Sequence, residues 1–355
     1  TKLVFFYLPF ILCVLLSALK YMEFSLMVKE AIRWLELILI YFLTINLVTD
    51  IRRTRVILYS VVLTTAIVSL CGIINYLSKD WGPRAFSFFD NPNPFAGYVG
   101  LVIPVLFGMM MTSTFYWERI VLGTAAVFSI LAWFLAFSRS AILSLVLTMI
   151  LVLFLAQVNK KIVILVTIVF TIFAVTFLSS NLKIKDRVGL SLIRDNMELR
   201  AMCYPIGYDL VKDDMILGIG IGNYPLCIKA LVNKVLSHRG DLVQRRLECG
   251  DLTVQEHLHN LYLQVFVETG LIGLCSFIFW LAWIVKYVMK SSKSLENTEN
   301  YNLFVGLIGG VIVYLLNNLT DILMVHGIHL QWGIILGLAV VLTQLRESET
   351  CSKVA

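Results

Sequence analysis

Apolar residues in this chain come in long runs separated by short polar breaks. The pattern predicts helices that cross a bilayer, each needing roughly 20 mostly apolar residues. Ten stretches qualify or come close: about 3–19, 31–49, 56–77, 94–113, 119–137, 140–157, 162–179, 263–285, 303–320 and 330–345. The short ones can tilt or thin the bilayer at small cost. The runs are too long, and lack the period-two alternation, to be barrel strands. The expected fold class is an all-α polytopic membrane protein with about ten transmembrane helices. Residues 1–179 hold the first seven with an outer loop at 78–93, 180–262 form a large outer loop, and 263–355 hold the last three with a tail. No repeat of the solenoid kind is visible, and 286–302 reads as a plain polar loop.

Lys and Arg in the short loops set the orientation. With the N-terminus inside, twelve fall on the inner side: Lys2, Arg52, Arg53, Arg55, Arg119, Lys160, Lys161, Lys286, Lys290, Lys293, Arg346 and Lys353. Six fall at the outer loops: Lys20, Lys29, Arg33, Lys79, Arg84 and Arg139. The long segment 180–262 is left out of such a count and falls outside. The first run lacks a signal peptide's small-residue cleavage site.

Composition agrees with this reading. Hydrophobic residues make up 59% of the 355 and charged residues 15%, against about 45–50% and about 25% in soluble domains. A soluble enzyme, a nucleic-acid reader and a disordered regulator are excluded as leading ideas. The net charge of +6 is mainly a topology signal and does not point to nucleic acid.

Polar chemistry collects in two outer segments, 78–98 and 180–262, which hold Pro83, Pro92, Pro94, Pro205 and Pro225. Proline pins loop geometry, and rigid loops on a helical scaffold commonly carry function; prolines also simply end helices. Segment 180–262 carries eleven Lys/Arg and ten Asp/Glu, a balance unlike a polybasic lipid-binding tail. Its partly apolar stretches 201–210 and 226–236 predict short amphipathic helices in an ordered subdomain. Three of the seven cysteines lie there, so any pairing among Cys203, Cys227 and Cys249 stays open. His257 and His259, two apart near Glu256, make a weak metal motif, since HExxH is absent. The run Gly218-Ile219-Gly220-Ile221-Gly222-Asn223 is either a phosphate cradle or a flexible turn.

Arginines carry more weight. Arg84 follows Gly82-Pro83, Arg139 sits in a very short turn between two apolar runs, and Arg200 precedes a helix-like stretch of the large loop. An ionisable group at membrane depth is a functional hypothesis by default. A guanidinium binds phosphate oxygens through paired N–H bonds. His259 adds a base that works near neutral pH, or else a polar residue that caps the next helix. The residues alone point to an outward-facing polar site for an anionic, lipid-borne substrate.

Several motifs together resemble the O-antigen ligase and polymerase superfamily. They are Arg84-Ala85-Phe86, then Asp90-Asn91-Pro92-Asn93-Pro94-Phe95-Ala96-Gly97-Tyr98, then Phe137-Ser138-Arg139-Ser140-Ala141. The glycine-rich stretch from Ile216 to Tyr224 follows. Last comes His257-Leu258-His259-Asn260-Leu261-Tyr262-Leu263-Gln264, running into Glu268-Thr269-Gly270. The resemblance covers roughly residues 80–275. It implies an inverting glycosyltransferase without metal or other cofactor, in the bacterial inner membrane with its active site facing the periplasm. The implied donor is a glycan on undecaprenyl pyrophosphate. The acceptor is lipid A–core for a ligase in lipopolysaccharide biosynthesis, or another lipid-linked glycan for a polymerase. It also implies further helices before Thr1.

By the same resemblance Arg84, Arg139 and Arg200 hold the pyrophosphate leaving group, and His259 orients or deprotonates the acceptor hydroxyl, with His257 the competing choice. Gly220, Gly222 and Asn260 join the substrate-binding set. Asn91 and Asn93 either touch sugar or form Asx turns before Pro92 and Pro94. Glu268 either orients a partner group or satisfies a helix N-terminus. A lipid-linked glycan transporter is the alternative of another class, although inverted repeats and broken helices at mid-bilayer are not evident. A scaffold role leaves the arginines and histidines without a task.

Overall fold

The computed structural model describes residues 2–78, 84–157, 204–230 and 257–354, all helix, turn or loop. The helices are α1 (Lys2–Ala18), α2 (Phe24–Leu47), α3 (Ile51–Leu77), α4 (Pro92–Thr112), α5 (Tyr116–Leu135), α6 (Arg139–Leu155), α7 (Leu261–Leu295), α8 (Tyr301–Asn317) and α9 (Ile328–Val354). Residues 204–211 and 224–230 are also helical, overlapping the two stretches expected to be amphipathic. Among the described residues five helices, α3, α4, α5, α7 and α9, are long and apolar enough to cross a membrane; α1, α6 and α8 are shorter apolar helices. α2 is long, but Glu30, Arg33 and Glu36 interrupt its apolar run, which separates it from those five. The expected span 162–179 lies outside the described residues.

The chain divides into two compact units. The first comprises 1–35, 172–284 and 318–322. Its aromatic core joins α1, the start of α2 and α7: Phe10 lies 4.8 Å from Trp34 and 5.0 Å from Phe277, and the Tyr7 hydroxyl donates to the Trp34 carbonyl at 3.0 Å. Aromatic rings bury large area and favour such edge contacts. A second cluster, Tyr224, Ile228, Leu258 and Val267, with Ile206, Leu210 and Leu263 against it, packs the loop segments onto α7.

α7 is broken one third of the way along. Gly270 has φ 68° and ψ −170°, a conformation that only glycine adopts readily. The break frees helix carbonyls that the glycine-rich loop then uses. Ile219 N donates to Val267 O at 2.9 Å, Gly220 N to Glu268 O at 3.0 Å, and Leu271 N to Met215 O at 2.8 Å. Buried backbone groups must find partners, and this loop supplies them.

The second unit comprises 36–171, 285–317 and 323–355. α4 packs most extensively on α8 and also meets α5, α6 and α3. Small residues permit the approach: a Cβ on Gly108 would lie 2.7 Å from Asn302 O, and one on Gly306 2.6 Å from Pro104 O. Close glycine contacts of this kind let apolar helices associate without a water-driven force. Of the spanning segments, 72% of α4 and 78% of α9 are buried against 28% of α5. α4 and α9 therefore form the centre of this unit, and α5 presents an outer face.

Candidate active site

In the first unit the site is built on the turn that enters α7. Asn260 is the capping residue: its Oδ1 accepts from Leu263 N at 3.0 Å, satisfying a helix N-terminal donor. Its Nδ2 donates to Leu319 O at 2.9 Å and to the Tyr204 hydroxyl at 3.2 Å. Leu261 N donates to Asn318 O at 2.9 Å. These bonds fasten the turn 318–322 beside the histidines. His259, one residue before the cap, has φ 52°. That left-handed conformation costs a non-glycine residue roughly 1 kcal/mol or more and is held by the bonds on either side.

The same arrangement brings Asp321 to His259, with Nδ1 and Oδ1 3.5 Å apart. Asp321 is buried, and its Oδ1 also accepts from Ile322 N at 2.9 Å. The His259 side chain keeps 31% of its exposure, so the ring is partly accessible while its Nδ1 faces the carboxylate. At 3.5 Å the contact is long, as catalytic hydrogen bonds commonly are before substrate binds.

His257 differs. Burial first, and then the nearby charges of Arg33, His259 and Lys29, push its pKa down to about 4, with Asp321 opposing. It is neutral at pH 7 and a weak base. An unfolded histidine titrates near 6.5. Between pH 6.5 and 4 the unfolded chain takes up a proton that the native ring refuses, so this group's contribution to stability is present above about 6.5 and is lost as pH falls towards 4. The thermal unfolding midpoint of purified protein is expected to drop across that window. His257→Gln is expected to flatten the drop; identical slopes for the two proteins would contradict this.

Gln264 and Glu268 tie the histidine turn to the glycine loop. Leu258 N donates to Gln264 Oε1 at 3.1 Å, and Gln264 Nε2 donates to Glu268 Oε1 at 2.7 Å. The buried Glu268 carboxylate accepts from the backbone N–H groups of Gly222 and Tyr224. Glu268 thus serves the N-terminus of the 224–230 helix rather than that of its own. The amides of Gly220 and Gly222 are engaged by α7, and a Cβ on Gly222 (φ 76°) would lie 2.7 Å from Leu26 O. A Cβ on Gly220 (φ 100°) would lie 2.6 Å from Asn223 Nδ2 and 3.1 Å from Ser17 O, so close packing favours glycine at both positions.

In the second unit, Arg139 is the first residue of α6, exposed, after Phe137 with φ 48°. A cation there sits on the positive end of the helix dipole, where side chains of that sign are unfavourable and anions are favoured. Arg84 holds this turn. Its Nε donates to Ala136 O at 2.8 Å, and its Nη2 to Phe137 O at 3.3 Å and Asn93 Oδ1 at 2.9 Å. Asn91 caps α4, accepting from Asn93 N at 2.9 Å. Asp90 lies 3.5 Å from His326 Nε2, which also packs edge-on to Phe89.

The structure therefore groups His257, His259, Asn260, Gly220 and Gly222 in one unit and Arg84, Asn91, Asn93 and Arg139 in the other. Arg200 lies outside the described residues, as do Cys203 and Cys249; Cys227 is a free thiol. Asp321 and His326 were not singled out from sequence. Both sit in the polar break 317–329 (Asn-Asn-Leu-Thr-Asp to His-Gly-Ile-His), whose density of polar residues between two apolar runs is the available signal. No three His, Cys, Asp or Glu cluster as metal ligands among the described residues.

No curated protein matches the chain. A family model described as O-antigen ligase matches residues 124–278, a stretch that includes Arg139, the glycine loop, His257, His259 and Asn260. Over this stretch, somewhat under half of the chain, the sequence is similar to the O-antigen ligase family.

Proposed function

We propose that the chain is an inverting, metal-independent glycosyltransferase that moves a glycan from undecaprenyl pyrophosphate to an acceptor hydroxyl. The acceptor we assign is lipid A–core, making it an O-antigen ligase of lipopolysaccharide biosynthesis acting at the periplasmic face of the inner membrane. The observation that carries the reading is the pairing of His259, inside the matched stretch, with the buried Asp321, the imidazole remaining partly accessible.

In this reading His259 accepts the proton of the acceptor hydroxyl as its oxygen attacks C1 of the donor sugar. The C1–O bond to pyrophosphate breaks, and the electron pair leaves on the phosphate oxygen. Inversion at C1 follows from a single displacement. Asp321 fixes the ring orientation and stabilises the imidazolium that forms, the role an aspartate plays beside a catalytic histidine elsewhere. Arg139, with the N-terminus of α6, balances the charge that develops on the leaving pyrophosphate, and Arg200 is assigned to the same task. Arg84 acts at one remove, by holding the turn that presents Arg139.

Asp321→Asn keeps the size of the side chain and removes its charge. It is expected to lower kcat for glycan transfer by roughly 100-fold or more while leaving KM for the donor nearly unchanged, with Asp321→Glu restoring part of the rate. An equal loss in KM, or no rescue by Glu, would make Asp321 a folding residue only.

A further inference from the structure

The second unit contains a cavity of about 830 Å³ at the opposite ends of its helices from the Arg84–Arg139 turn. It is lined by the starts of α3 and α5, the turn between α7 and α8, and the last turns of α9. These are the segments that the Lys/Arg count places on the inner side. Ligand cavities commonly run roughly 300–1,000 Å³, so this one has room for a headgroup or small molecule.

Its charged groups fall into two sets. Asp50 and Glu118 are engaged by the protein: Asp50 caps α3 through Arg53 N at 2.8 Å, and Glu118 accepts from the Tyr59 hydroxyl and from Ser113 Oγ at 2.6 Å. Arg346 stands 3.6 Å from Glu349. Arg52, Arg55 and Glu299 form the other set: they line the cavity, and none makes a hydrogen bond or salt bridge with the described residues. The buried side chains of Leu295 and Leu342 give the cavity an apolar floor.

Two arginines and a carboxylate with no side-chain hydrogen bond or salt bridge, Arg55 lying within electrostatic reach of Glu118, suit a ligand carrying both signs. Guanidinium groups pair with phosphate oxygens, and a carboxylate accepts from an ammonium group. Lining the whole cavity are three arginines and four carboxylates, so a bare phosphate would meet net repulsion, whereas a zwitterion would not. The geometry points to a binding site for a phosphoethanolamine group, carried on a membrane phospholipid whose acyl chains leave past the exposed Val56 and Phe115. The site is separate from the chemistry proposed above and stands or falls independently of it.

The test uses the purified full chain in detergent, titrated with short-chain phosphatidylethanolamine or phosphatidylglycerol and read by native mass spectrometry. The ethanolamine lipid is expected to bind more tightly. Arg52→Gln with Arg55→Gln is expected to weaken it roughly tenfold or more, and Glu299→Gln to remove the preference over phosphatidylglycerol. Soluble glycerophosphoethanolamine separates the sources: if it displaces the lipid, the headgroup alone is the ligand, and if it does not, the lipid is required. Either result supports recognition of phosphoethanolamine. Equal affinity of the native chain for the two lipids overturns the proposal. So does an unchanged preference in Glu299→Gln, a single change that keeps both arginines should the double variant fail to fold.

Discussion

His259→Ala is expected to lower glycan transfer by roughly 100- to 10,000-fold, the range for removing a positioned general acid or base. The chain should still assemble, because Asn260 rather than His259 caps α7 and carries the bonds to Leu319 and Tyr204. The backbone strain at His259 (φ 52°) even predicts that His259→Gly folds at least as stably while losing the same activity. A structural histidine gives the reverse pattern: loss of folded protein with the remaining molecules still active. His257→Gln is the control. A ring whose pKa lies at about 4 contributes little as a base at pH 7, so that variant is expected to retain most of the transfer rate. Transfer in a membrane preparation, corrected for the amount of folded chain, separates the two histidines.

Arg139→Ala is the second large effect, with an expected loss of roughly 100- to 1,000-fold in kcat, the range for removing a preorganised group that stabilises charge in the transition state. Arg139→Lys keeps the charge and loses the planar pair of donors, so it should recover only part of the rate. Stability should not fall in either variant. Arg139 is exposed at the first turn of α6, where a cation is unfavourable for the helix. An Arg139→Ala protein with full activity would reduce the residue to a membrane-boundary cation.

The apolar runs made the helices legible, because a bilayer demands length and hydropathy that ordinary sequence seldom supplies. Their ends were less so. α7 continues to Leu295, beyond the expected 285, since Lys286, Lys290 and Lys293 are helix-compatible residues whose charges say where the bilayer stops and not where the helix does. The break at Gly270 is hidden inside an apolar run, and only the glycine loop seated against it shows why the residue is there. Arg84 was read as a phosphate ligand, and its bonds to the Ala136 and Phe137 carbonyls and to Asn93 Oδ1 are contacts that a sequence does not display. Asp321 was passed over because its partner lies 62 residues earlier, and nothing local marks a carboxylate in Asn-Leu-Thr-Asp-Ile as the mate of a distant histidine. The motif residues themselves were visible early, since an arginine or histidine at the edge of an apolar helix is costly without a use.

The central claim is that this chain makes and breaks a glycosidic bond. Its most direct test is the purified protein in liposomes, supplied with an undecaprenyl-pyrophosphate-linked glycan and lipid A–core, with products resolved by mass. The account predicts glycan covalently joined to lipid A–core, with undecaprenyl pyrophosphate released in equal amount and neither product formed by His259→Ala. Elongated lipid-linked glycan in place of the core conjugate would keep the chemistry and change the acceptor to that of a polymerase. Donor that crosses the bilayer or stays where it began, with no new glycosidic bond in either case, would contradict it.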